Sequence, residues 1–149
     1  MKIFIATDGS DFSKAAVQEY CRMIMRPNDE VLIASCYEDA YPVSAEPFAL
    51  SAEYYQKMED AMNELSAGFA SEGKKAIEER CTDSKVSVTT EVLRGSPAQK
   101  IVERAGEWGA DLIVVGSHGR GFWGRLLGSV SNGVVHHAPC SVLVVRMPK

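Results

Sequence analysis

The sequence predicts an α/β protein in which a parallel β-sheet is covered by helices on both faces. Five short apolar runs alternate with helix-like segments along the whole chain, without a repeat or a linker between them. Strict alternation of strand and helix requires parallel strands joined by right-handed crossovers. The runs Leu112–Val115 and Val142–Val145 are apolar at every position, which is typical of strands covered on both faces. We interpret residues 1–149 as one domain.

The first half of the chain predicts two strands, each followed by a helix. The run Ile3–Ala6 predicts the first strand and Val31–Tyr37 the second. Apolar residues at helical spacing mark the helix between them, which we expect to end at Pro27: Phe12, Ala16, Tyr20 and Met23. A longer helix is predicted over residues 51–80, with one apolar face that we expect to pack in the core: Met58, Met62, Leu65, Phe69 and Ala76.

The second half continues the alternation. Residues 86–93 alternate between apolar and polar, which is typical of an edge strand with one wetter face. The segment Ser96–Gln99 predicts a helix start, since it combines a capping serine, a proline at the first helical position and a glutamine at capping-box spacing. The remaining predicted elements are strand four at Leu112–Val115, a short helix at Ser129–His137 and strand five at Ser141–Arg146.

A glycine-rich segment joins the fourth strand to the last helix. It contains Gly116, Gly119 and Gly128, and Ser129 follows at the start of the helix. Glycine lets the backbone approach a ligand closely, and a helix N-terminus presents free N–H groups and a positive dipole end. Such a loop suits an anion, phosphate above all; the alternative is that its glycines serve only as turns. If strands one and four are neighbours, Asp8 faces the same crevice.

Composition and charge exclude several classes of function. The net charge is −4 and the pI is about 5.4, which argues against a basic nucleic-acid-binding surface. The short run before the polar Thr7-Asp8 is too brief for a signal-peptide core or a membrane span, so we expect a cytoplasmic location and no membrane partner. Four cysteines form no CxxC pair and are expected to be buried or half-buried thiols without a metal: Cys21, Cys36, Cys81 and Cys140.

Several motifs, in their order along the chain, resemble the universal stress protein family. The matching segments are IATDGS (5–10), GSP (95–97), VGSHG (115–119), LGSVS (127–131) and HAPCSVLVV (137–145). The resemblance covers the whole chain. It implies a Rossmann-like, open parallel sheet of five strands in the order 3-2-1-4-5, a role in the stress response and a homodimer.

The family has two branches that differ in nucleotide binding. One binds ATP through the motif G-x2-G-x9-G-[ST], and the other lacks the motif and binds no ATP. Here eight residues rather than nine separate Gly119 from Gly128, and Ala6 stands where the family often has proline. A missing residue either tightens the loop or rotates the helix start by about 100°.

Carried over residue by residue, the resemblance implies a site for ATP or another adenine nucleotide, accompanied by Mg²⁺. Asp8 would contact a ribose hydroxyl, and the end of strand two would offer backbone groups to adenine. The last helix would donate backbone N–H groups to the phosphates, and Arg120 and Arg125 could add charge. The expected nucleotide-binding residues are Ala6, Thr7, Asp8, Ser35, Cys36, Gly116, Ser117, His118, Gly119, Gly128, Ser129, Val130 and Ser131.

The strand at 141–146 supplies the expected dimer contact. The implied strand order places it at an edge of the sheet, and its apolar middle carries no charge or proline to protect it. Antiparallel pairing of two copies would satisfy the free backbone groups and bury the valines in a two-fold interface.

Three functions from different classes remain open at this point. The first is an ATP-binding regulatory protein of the stress response. The second is an enzyme that hydrolyses ATP or transfers an adenylyl group. The sequence has no G-x4-G-K-[ST] loop, and His118 is the one candidate for a general base near the glycine loop. We therefore expect no catalytic residue. The third is a dimeric interaction protein that binds no nucleotide, which the shortened loop keeps open. The segment 38–51 could also form a lid.

Overall fold

The computed structural model of the protein describes residues 1–39, 51–80, 85–119 and 127–147. Its five strands form one parallel sheet in the order β3-β2-β1-β4-β5, which confirms the predicted fold. The elements are β1 (Lys2–Ala6), α1 (Asp11–Glu19), a π turn (Tyr20–Ile24), β2 (Glu30–Tyr37), α2 (Ala52–Glu78), β3 (Ser87–Arg94), α3 (Pro97–Trp108), β4 (Leu112–Gly116), α4 (Ser129–His137) and β5 (Ser141–Val145).

Helices cover both faces of the sheet because side chains along each strand alternate between the two faces. On one face Ile3, Ile5 and Ile33 are buried in a cluster with Val17 of α1 and Ile77 of α2. A second cluster takes the intervening strand residues together with α3 and α4: Phe4, Leu32, Ile113, Ile101, Ala105 and Val134. The strands and their crossovers are therefore held from both sides by apolar burial.

The first helix departs from the predicted regular spacing. It changes from α to π geometry at Tyr20, where the Met25 N–H donates to the Tyr20 carbonyl at 2.9 Å. Each residue of a π turn advances less around the axis than in an α-helix, so the apolar stripe shifts out of phase. Met23 is consequently 66% exposed, and its prediction as part of the apolar face is wrong.

Most of the residues through which the long helix α2 meets the sheet are small, and two of the predicted large ones are exposed. Its buried positions are Ser66, Ala70, Gly73 and Ile77. A Cβ on Gly73 would lie 3.4 Å from two side-chain carbons of Ile33, so a small residue lets the helix approach β2 closely. Met62 and Leu65 are 38% and 46% exposed, which corrects their assignment to the core.

Serines are the N-caps of α1, α2 and α3, but not always through the predicted contacts. The Ser10 and Ser51 hydroxyls accept from backbone N–H groups three residues on and so cap α1 and α2. Ser96 is the N-cap of α3 without a side-chain bond, and the Gln99 amide donates to Glu103 at 2.7 Å. The predicted capping box is therefore absent, because Gln99 finds a charged acceptor one turn further along its own helix.

The sheet edges are β3 and β5, and the edge position of β3 agrees with its alternating sequence. Cys21, Cys36 and Cys140 are half-buried cysteines outside any disulfide, while Cys81 lies outside the described residues. In the part of the chain that the structure describes, none of the helices combines the length and the apolar character needed to cross a membrane.

Candidate functional site

A cavity of about 580 Å³ opens at the carboxyl ends of β1 and β4, which are neighbours in the sheet. This is the crevice in which open parallel sheets bind ligands. Its lining includes most of the nucleotide-binding residues expected from the sequence: Ala6, Thr7, Asp8, Cys36, Gly116, His118, Gly119, Gly128, Ser129, Val130 and Ser131. Of the other two, Ser35 lines an adjoining cavity and Ser117 is buried.

The cavity also has lining residues that the sequence analysis did not name: Ser13, Ala34, Pro97, Ile101, Val115 and Leu127. Two signals could have found some of them. Ala34 shares a strand face with Cys36 because side chains two residues apart in a strand point the same way. Pro97 begins the helix that follows β3, so it lies at the same end of the sheet.

Asp8 connects the turn after β1 to the glycine loop. One carboxylate oxygen, Oδ1, accepts from both the N–H and the hydroxyl of Ser10, the residue that caps α1. The other oxygen, Oδ2, lies 2.8 Å from the point where a Cβ on Gly119 would stand. Asp8 thus helps to begin α1 with one oxygen and faces the glycine loop with the other.

The backbone of Ser117 holds the start of α4 at the end of β4. Its carbonyl accepts from the Gly128 N–H and from the Ser131 hydroxyl, each at 2.9 Å. Its N–H donates to the Val145 carbonyl of β5 at 2.8 Å. The eight-residue spacing therefore still places Gly128 at the N-cap and begins the helix at Ser129, as predicted.

The first turn of α4 presents backbone N–H groups to the cavity. The first intrahelical bond runs from the Asn132 N–H to the Gly128 carbonyl at 2.9 Å, so the preceding amides have no acceptor within the helix. The N-cap is a glycine and supplies no side chain, unlike Ser10 in α1. This end of α4 consequently offers several N–H donors and a positive dipole to an anion.

Two glycines of the site have close neighbours. A Cβ on Gly116 would lie 2.7 Å from the backbone carbonyl carbon of Phe12, so glycine lets α1 pack against the end of β4. This is a different reason from the ligand approach expected from the sequence. A Cβ on Gly119 would lie 2.8 Å from Asp8 Oδ2, the end of a flexible side chain, so a residue larger than glycine there would push the Asp8 carboxylate aside.

The Ser131 hydroxyl and the His118 ring both have contacts within the protein. The single hydroxyl hydrogen of Ser131 is shared between two carbonyl acceptors, those of Ser117 and Gly128. The His118 ring packs on Phe12 at 5.1 Å between centroids, and its Nδ1 lies 3.0 Å from the Ser117 hydroxyl. Ser129 is the exposed hydroxyl at the start of α4.

Some expected features lie outside the described residues: Arg120, Arg125 and most of the segment 38–51. Across residues 1–39, 51–80, 85–119 and 127–147, no three His, Cys, Asp or Glu side chains converge in a way that could hold a metal ion.

The fold and the site together define a class of protein. An open, doubly covered parallel sheet with a cavity at the carboxyl ends of its central strands is the architecture of Rossmann-like domains. The family model for universal stress proteins matches residues 1–146. The chain belongs to the universal stress protein family.

One relative agrees with this assignment, and two solved structures agree with the fold. A universal stress protein from Methanocaldococcus jannaschii is 37% identical over 150 residues, covering 99% of this chain and 83% of the relative. A solved Arabidopsis thaliana family member with AMP bound superposes with a TM-score of 0.71 at 19% identity, covering 99% of this chain and 92% of that one. A universal stress protein in complex with cAMP gives 0.66 at 23% identity, covering 98% and 96%.

The cavity contains a cysteine whose chemistry can be tested. Cys36 donates its thiol hydrogen to the Gly95 carbonyl at 3.3 Å. Burial, with a further contribution from the negative charge of Glu38, raises the pKa of the Cys36 thiol to about 11. The thiol is therefore neutral at physiological pH and is a poor nucleophile.

We expect alkylation of Cys36 by iodoacetamide to rise with pH about a midpoint near 11 in the folded protein. Only the thiolate reacts, and the folded state keeps the proton to higher pH than a free thiol with its ordinary pKa of about 8.5. Peptide-level mass spectrometry of the pH series measures the midpoint, and the same chain in urea is the matched control, with a midpoint near the ordinary value. A folded-state midpoint equal to that of the unfolded chain would contradict the assignment.

Proposed function

We propose that this protein is a cytoplasmic regulator of the stress response that binds an adenine nucleotide, ATP first, in the cavity at the carboxyl ends of β1 and β4. The observation that carries the proposal is the N-terminus of α4, where a glycine cap leaves backbone amides to face the cavity. Two proteins of this fold have been solved with AMP and with cAMP, which supports an adenine nucleotide as the ligand.

The phosphate end of the ligand fits the first turn of α4. Backbone amides of Ser129, Val130 and Ser131 supply donors in one place, and the helix dipole favours negative charge. The exposed Ser129 hydroxyl adds one more donor. A Mg²⁺ ion would accompany ATP mainly through the phosphate oxygens and water, as is usual for this cation.

The nucleoside end fits the rest of the cavity. Asp8 Oδ2 faces the glycine loop and can accept from a ribose hydroxyl, while Oδ1 remains bound to Ser10. Ala34, Ile101 and Val115 supply an apolar wall for a base. The volume of about 580 Å³ is in the range of small-molecule sites.

The proposal predicts unequal effects of two substitutions on ATP affinity. Ser129→Ala removes one neutral hydrogen bond and should weaken binding by about 0.5–1.5 kcal/mol, because the backbone amides remain. Gly119→Val should weaken binding more than tenfold, about 1.4 kcal/mol or more, since its side chain displaces Asp8 and fills the crevice. Calorimetric titration with Mg·ATP measures both.

Gly68→Val is the matched control for the second substitution. Gly68 lies in α2 with no atom within 4 Å of its Cβ position, so the same added side chain should leave ATP binding unchanged. Equal, small effects of Ser129→Ala and Gly119→Val on ATP affinity would contradict the proposed binding of phosphate at the glycine loop and the first turn of α4. If the wild type binds no nucleotide and none is released on denaturation, the protein is better explained as an interaction protein.

We further propose that two copies pair through β5. The strand lies at an edge of the sheet, and Val142, Leu143 and Val144 are all partly exposed there. An apolar edge strand with free backbone groups is a template for pairing with another chain. Antiparallel pairing about a two-fold axis would bury these side chains in an isologous interface.

Val144→Lys should convert the dimer to monomer, because the charge would be buried without a partner at the centre of the interface. Sedimentation velocity at tens of micromolar protein measures the change. Val135→Lys, at an exposed position of α4, is the control and should leave the dimer intact. A wild-type monomer under these conditions refutes the proposed interface.

A further inference from the structure

A second cavity of about 700 Å³ adjoins the first at the carboxyl end of β2. Ser35 and Cys36 both line it although neighbouring strand residues point to opposite faces of the sheet, so the cavity reaches across the end of the strand. The residues common to both cavities are Asp8, Cys36, Pro97, Ser129 and Val130. The two spaces therefore meet where α3 and α4 begin.

Two helix N-termini stand at this boundary. Neither α3 nor α4 has a side-chain cap. The first-turn amides of α4 are therefore available to a ligand, whereas α3 offers those of Ala98 and Gln99 only, because Pro97 has no N–H. An anionic group at the boundary would thus be in reach of two positive dipole ends. A mononucleotide in the first cavity, as proposed above, places its phosphates at the N-terminus of α4 and leaves that of α3 without a ligand group.

A buried hydroxyl in the second cavity points to a ligand of its own. Ser35 is 1% exposed, and its Oγ has no hydrogen-bond partner in the described part of the chain. Leaving a buried polar group without a partner is costly, and such groups call for an explanation. A ligand that offers a hydrogen-bonding atom at the bottom of the cavity would provide the missing partner.

The walls of the second cavity favour an uncharged ring. Met62, Leu65 and Phe69 of α2 form an apolar side, and Met62 and Leu65 are large side chains left partly exposed. Glu38 is the charged residue of the described lining that belongs to the second cavity alone, and its negative charge makes the interior of that cavity unsuited to a phosphate. A planar base can lie against a phenyl ring and a thioether while its ring nitrogens meet a hydroxyl.

Building on the proposed function, we infer that the two cavities together bind an adenine dinucleotide, that is, two nucleosides joined through phosphates. One base occupies each cavity, and the phosphates lie at the boundary between the N-termini of α3 and α4. Each cavity has the volume of a complete small-molecule site, so one mononucleotide leaves the second cavity available.

The test compares diadenosine tetraphosphate with ATP by calorimetric titration of the full chain. We expect the wild type to bind the dinucleotide at least tenfold more tightly than ATP, with one dinucleotide per chain. Leu65→Glu places a carboxylate in the second cavity and should remove that advantage, while ATP affinity stays within twofold. Tyr54→Glu introduces the same charge on the same helix at an exposed position outside both cavities and should change neither affinity.

A second, smaller substitution tests the inference even if Leu65→Glu disturbs folding. Ser35→Ala removes only a hydroxyl without a partner in the described part of the chain and keeps the backbone groups of Ser35, and it should weaken binding of the dinucleotide two- to tenfold. The inference alone fails if ATP binds and the dinucleotide binds no more tightly, if Leu65→Glu weakens both ligands equally, or if one dinucleotide binds per two chains. If neither ligand binds, the proposed function fails as well.

Discussion

The backbone N–H and carbonyl of Ser117 form the hydrogen bonds on which the site depends. Ser117 bonds to β5 through its N–H and to the start of α4 through its carbonyl, which accepts from the Gly128 N–H and the Ser131 hydroxyl. These bonds place the N-terminus of α4 at the end of β4. The loop is one residue shorter than the family motif, yet the helix begins at the predicted residue.

Close packing around α1 supports the other wall of the crevice. Gly9 has φ of +75°, a conformation that favours glycine, and its Cβ position lies 2.3 Å from the Phe69 ring of α2. Phe12 packs its backbone against Gly116 and its ring against His118. The turn that carries Asp8 is thus held between α2 and the end of β4, so the carboxylate is positioned before any ligand arrives.

The sheet and the helix starts could be predicted because their signals are local. Apolar runs define the strands, and Gly128-Ser129 marks the start of α4. The buried face of α2 could not be predicted, since close approach to β2 selects small residues such as Gly73 over larger apolar ones. The π turn at Tyr20 has no composition signal of its own.

Part of the candidate site could likewise be predicted from the sequence, and part could not. Asp8 and the glycine loop follow from the strand–loop–helix pattern and the family resemblance. Ile101 and Val115 were not named as site residues, because an apolar residue in the core and one in the wall of a cavity look alike in sequence. The packing role of Gly116 depends on where α1 lies, which only the tertiary structure gives.

The central claim is that backbone amides at the start of α4 bind phosphate, and amide chemical shifts test it most directly. Titrating ¹⁵N-labelled protein with Mg·ATP should move the resonances of Ser129, Val130 and Ser131 most, because hydrogen bonds to phosphate change the shielding of the donor amides. Thr89 and Thr90 in the edge strand β3 should move little. Saturable ATP binding that leaves the first turn of α4 unshifted, or no shift anywhere at millimolar ATP, would contradict the account.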